Sequence, residues 1–160
     1  MFKKLVLLVM ASALIVSFAS CKKKEEAPQA PQQGPGVFVP PGEPQVVVPE
    51  IVKGKWSAVE LNIEDKTTSK TNTVKVNLGS DYKIPGSTLK IEVIEFLPDF
   101  KMEGSVITSS SNDPNNPAAR VKVYDNGKEI WKGWLYSKFP AIHPFQNEKW
   151  GITLKDGIKK

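Results

Sequence analysis

The chain has a single cysteine and a single histidine among its 160 residues. One thiol closes no internal disulfide. One imidazole without a second thiol excludes His- and Cys-rich zinc sites and leaves only carboxylates as partners for His143. After residue 50 no segment carries a helical period. The serines lack a nucleophile-elbow motif. The polar stretch from Ser109 to Asn116 lacks the spacing of a calcium loop. There is no basic stripe and no nucleic-acid motif, so a nucleic-acid partner is not expected. The uncharged run Leu5–Ser20 has sixteen residues, short of the about 20 that a spanning helix needs.

What is present begins with that run. Lys3 and Lys4 precede it, and small residues close it in "FASC", ending at Cys21. A positive start, an apolar stretch and small residues form a signal-peptide pattern. "FASC" resembles the lipobox of bacterial lipoprotein precursors, with Phe18 where that family usually has Leu. The resemblance implies cleavage before Cys21, a diacylglycerol on its thiol and acylation of the new amino terminus. Two or three acyl chains hold a protein to a bilayer stably where one does not. Lys22 rather than Asp follows the cysteine, which resembles an outer-membrane sorting signal. Loss of residues 1–20 lowers the net charge from +5 to +3, and Lys22 to Lys24 lie where they can meet anionic head groups.

Residues 22–49 hold seven prolines among 28 positions, with Gln, Gly, Ala and charged residues making up most of the rest. Such a composition buries too little apolar surface to offset chain entropy. Residues 21–50 therefore read as a lipidated cysteine and an extended tether, reaching up to roughly 85 Å at about 3.1 Å per residue. Two apolar islands interrupt it, "VFV" at 37–39 and "VVV" at 46–48. The first reads as incidental; the second is either incidental or a strand added to an edge.

Residues 51–160 form the domain. "WSAVELNIED", "TVKVNL", "TLKIEVIEF" and "ARVKVYD" alternate apolar and polar residues, the period of half-buried antiparallel strands. Turn chemistry separates them in "DKTTSKTN", "LGSDY", "IPGS" and "DNGK". About seven short strands predict an all-β fold, a small antiparallel sandwich or barrel. Asn126-Gly127 suits a type I′ hairpin. A two-residue turn pairs Val123 with Ile130 and Val121 with Lys132, whereas a three-residue turn pairs Val123 with Glu129. Because that slip exchanges the faces of the next strand, the sequence leaves open whether Trp131 or Trp134 is buried.

Trp131, Trp134, Tyr136, Phe139, His143, Phe145 and Trp150 fall within twenty residues. They are read as a candidate recognition surface for a protein or glycan, against the alternative that they complete the core. Asp99 and Asp113 are the carboxylates that His143 would need for acid–base or metal chemistry.

The segment "EIWKGWLYSKFPAIHPFQNEKWGITL" resembles the closing part of the bacterial envelope family named domain of unknown function 2155. Gly133, Trp134, Leu135, Tyr136, Pro140 and Ile142 carry the likeness. "WSAVELNIEDKTTSKTNTVKVNLGSDYKI" resembles its opening strands. The family implies export and a β domain and brings no activity, cofactor or catalytic residue. The expectation is a lipid-anchored envelope protein, facing the periplasm from the outer membrane. Its domain is a non-enzymatic binding or accessory module without a cofactor. The alternative is an envelope hydrolase or metal-dependent enzyme using His143 with Asp99 or Asp113.

Overall fold

A computed structural model describes residues 42–160. The signal segment, Cys21, the tether as far as residue 41 and the island at 37–39 lie outside the described residues.

Among the described residues ten strands run in order: β1 (Gln45–Val46), β2 (Trp56–Asp65), β3 (Lys70–Asn77), β4 (Asp81–Lys83), β5 (Leu89–Leu97), β6 (Phe100–Glu103), β7 (Val106–Ser109), β8 (Ala118–Asp125), β9 (Lys128–Tyr136) and β10 (Trp150–Lys159). They make three sheets, ordered β10-β2-β3, β4-β5-β8-β9 and β1-β7-β6. The expected all-β sandwich is borne out, and no sheet closes into a barrel. Its core lies between the first two sheets. Val59, Leu61 and Ile63 from β2, with Ile152 and Leu154 from β10, join Ile91 and Val93 from β5 and Val121 and Val123 from β8. Period-two patterning produces this directly, since alternate side chains of each strand leave opposite faces. Gly157 in β10 has a packing role as well. A side chain there would run into the ring of Phe96, which lies over it beside Trp56.

The strands that carry no clear alternation are short. β1, β4, β6 and β7 span two to four residues each, too few for alternation to register. β6 and β7 form a hairpin inside what the sequence presents as one long connection. Its polar part, Ser109 to Asn116, packs back through Ser109 Oγ, which accepts from the Asp99 amide at 2.9 Å and donates to the Ser111 carbonyl at 2.8 Å. The second apolar island does add a strand. Gln45 and Val46 pair in parallel with Val106 and Ile107 of β7.

The β8–β9 hairpin combines both anticipated features in an unanticipated way. Asn126 and Gly127 take φ of 49° and 82°, as a two-residue type I′ turn requires, and Asp125 pairs with Lys128. A bulge then intervenes, so that Val123 pairs with Trp131 and not with Ile130, and Val121 with Gly133 and not with Lys132. The extra residue is Ile130, which is exposed. The bulge reverses the faces of everything that follows it. Trp131 and Leu135 turn inward; Trp134 and Tyr136 turn out.

Candidate functional site

The seven aromatic and imidazole candidates therefore do not form one surface. Trp131 packs on the core, with Phe145 edge-on to it at a centroid distance of 6.0 Å. Phe145 is buried and comes from the 137–149 loop between β9 and β10, so part of "FPAIHPF" closes the sandwich. The same loop turns Phe139, Ile142 and His143 to solvent. Trp150 is half-buried at the start of β10 against the core edge. Only Trp134 and Tyr136 share an outer face.

That face has a third member. Phe100, the first residue of β6, meets Trp134 edge-on at 5.2 Å and Tyr136 at 5.1 Å. The small β1-β7-β6 sheet thus lies against the outside of β8 and β9. Between it and β9 is a groove of about 210 Å³, lined by Pro44, Val46, Ile107, Arg120 and Trp134 among others. Half-burial raises the pKa of the Tyr136 hydroxyl, because the phenolate would lose hydration there. The hydroxyl therefore stays a neutral donor.

Charge on the outer face is laced into a ladder. Lys90 meets Asp81 at 3.2 Å and sits 5.0 Å from the centre of the Tyr124 ring. Tyr124 donates to Glu92 at 2.7 Å, and that bond is the main reason its pKa is raised. Lys122 pairs with Glu129 at 3.3 Å, which raises the lysine's pKa. Arg120, the chain's single arginine, lies 3.5 Å from Glu95 and 3.8 Å from Glu43. Glu43 also holds Lys132 at 3.2 Å. It precedes β1, so the same carboxylate secures the end of the tether segment to β8 and β9.

His143 stands apart from the chemistry sought for it. It is exposed in the 137–149 loop, in the left-handed region at φ 47°. Among the described residues it makes no hydrogen bond to Asp99 or Asp113. Asp99 is engaged elsewhere, accepting from Ser111 Oγ at 2.9 Å and Asn115 Nδ2 at 3.4 Å. Asp113 is exposed, and its amide donates to Ser111 Oγ at 3.2 Å. Among the described residues no group of three His, Cys, Asp or Glu side chains is placed to hold a metal ion.

Phe100, Arg120 and Glu43 were not among the residues singled out from the sequence. A lone arginine on an alternating strand was a readable signal, because Arg makes the forked contacts that interfaces favour. Nothing in the sequence places Phe100 beside Trp134, since the two lie on separate sheets. Compared with known families, with curated proteins and with solved structures, the chain matches none.

Proposed function

We propose that this is a bacterial cell-envelope lipoprotein, held to the outer membrane by lipid on Cys21 and facing the periplasm. Its β domain is a non-enzymatic binding module for a protein partner. The observation that carries the binding half is the half-buried trio Phe100, Trp134 and Tyr136, beside an open groove with Arg120 at its wall. Tyr, Trp and Arg are the residues that most often dominate protein interfaces. Membership of the envelope family that the Gly133–Ile142 segment resembles is part of the same proposal. The enzymatic alternative has no observation in its favour, because His143, Asp99 and Asp113 are not joined in one constellation.

Two measurements test this. Labelled palmitate incorporates into the full chain and not into Cys21→Ala, and the variant leaves the membrane fraction. Equal membrane retention without label incorporation overturns the anchoring. Crosslinking in intact envelopes captures a heterologous protein that Trp134→Ala loses while its thermal unfolding midpoint stays close to that of the parent. Capture of only a second copy of the chain, or capture unaffected by Trp134→Ala, overturns the binding surface.

A further inference from the structure

A broad cleft lies away from the aromatic trio. It is an open cleft of about 790 Å³ at one end of the sandwich. Three segments wall it: the β4–β5 turn from Lys83 to Leu89, the end of β8 at Asp125, and the Asn147–Trp150 stretch entering β10. Arg120, beside Trp134, and Asp125 are five residues apart along β8, roughly 17 Å at the strand rise. The cleft is thus a separate place from the outer-face groove.

Its chemistry is mixed at short range. Lys83 and Lys149 supply cations, Asp125 and Glu148 anions, and Asn147 an amide. Several of these groups are already fixed. Asp125 Oδ1 accepts from Thr88 Oγ1 and from Asn126 Nδ2. Among the described residues its Oδ2 makes no hydrogen bond. Asn147 Oδ1 accepts the amides of Lys149 and Trp150 at 3.0 and 2.8 Å, and the Asn147 carbonyl accepts Lys66 Nζ at 2.7 Å. The amide is thereby oriented, and its NH2 remains a donor. Trp150 contributes an indole that packs on the core with one part and carries the exposed Lys149 ammonium 5.3 Å from its ring centre with another.

This combination discriminates among ligand classes. A phosphate or nucleic acid would meet two carboxylates; a cation would meet two ammonium groups. An apolar ligand would cover Asp125 Oδ2 and the Asn147 NH2 without giving either a partner. A strand-adding peptide needs a free sheet edge, and these walls are turns. A carbohydrate fits on each count. Its hydroxyls donate and accept in alternation, matching carboxylate, amide and ammonium groups. Its C–H face lies on an indole, with the lysine swinging aside. We infer that this cleft, with Trp150 as platform and Asp125, Asn147, Glu148 and Lys83 as polar contacts, binds a saccharide chain of two or three rings.

The test uses the full-length chain in detergent, titrated with chitotriose and, separately, with cellotriose, following tryptophan fluorescence and calorimetry. At least one trisaccharide is expected to bind saturably. Trp150→Ala abolishes binding and Trp150→Phe restores part of it. Glu148→Ala and Lys83→Ala, both on the exposed rim, each weaken it about fivefold or more. Trp134→Ala leaves it unchanged, which separates this cleft from the protein-binding face. The rim variants decide the matter if Trp150→Ala does not fold. No saturable change with either sugar up to about 10 mM overturns the proposal, since weaker binding carries no specificity. So does binding that survives both rim variants, or that is lost with Trp134→Ala.

Discussion

A methyl group at Gly133 would stand 2.7 Å from Cζ2 and 2.9 Å from Cη2 of Trp131, closer than carbon atoms pack. Trp131 and Gly133 are two positions apart on one face of β9, and the indole folds over the bare backbone. The ring cannot easily yield, because Phe145 holds it from another side. Gly133→Ala should therefore destabilise the domain by about 1–3 kcal/mol through overpacking. Gly151→Ala, where the nearest atom is the movable end of the Glu64 side chain at 3.0 Å, is the control and should cost less. Urea unfolding checks this, and an unchanged midpoint would count against it. The Gly-Trp pair of the sequence thus acquires two separate meanings: Gly133 makes room for the tryptophan behind it, and Trp134 faces away. At this scale the sequence was only half legible. It concentrated seven candidates within twenty residues, but an alternating strand and a looping connection distribute them over the core, the outer face and solvent. His143 is the chain's single histidine, and Arg120 is equally unique as its single arginine.

The β8–β9 hairpin shows what an element adds to its residues. Asn126-Gly127 declared its turn in the sequence, and the turn is of the expected kind. The burial of Trp131 over Trp134 was not declared, because it depends on one bulged residue, Ile130, and exposed apolar residues carry no periodic signature. The bulge makes a contrasting prediction. Deleting Ile130 brings Trp131 opposite Val123 in a regular ladder, with every later residue on its present face. That deletion should fold and cost about 1 kcal/mol or less. Deleting Lys132, two positions on, drives Trp134 inward and Leu135 outward. That variant should fail to fold, or should lose several kcal/mol, of the order of a buried leucine deletion. Circular dichroism with urea titration of both separates the outcomes. Equal effects would mean that the bulge does not set the register.

Across the whole molecule the sandwich was legible and the third sheet was not. Period two announces that a strand has an inside and an outside, but it does not record that β1, β6 and β7 will cover part of that outside. The exposed faces of these sheets have an electrostatic consequence. Four groups on these two sheets hold their protons more tightly than usual: Lys101 through Glu103, Lys122 through Glu129, Tyr124 through Glu92, and Tyr136 through burial. Each has a raised pKa in the folded state, so the folded chain binds more protons than the unfolded one once the unfolded groups begin to titrate. Stability from these groups is complete below the unfolded values, near 10 for Tyr and near 10.5 for Lys, and falls as pH rises through the folded ones. Asp65 has the opposite sign: its pKa is lowered, chiefly by Thr67, so its contribution is present above about 3.8 and lost in acid. The urea midpoint should accordingly fall from about pH 9 to about pH 11. Tyr124→Phe and Tyr136→Phe should each flatten that fall, because a phenyl ring has no proton to lose. Lys122→Met should flatten it further in the same window. The combined effect of the Tyr124 and Lys122 changes should differ from their sum, since Tyr124 and Lys122 feel each other's charge. A midpoint that stays level through this range, or the parent's slope in all three variants, would place the alkaline sensitivity outside these four groups.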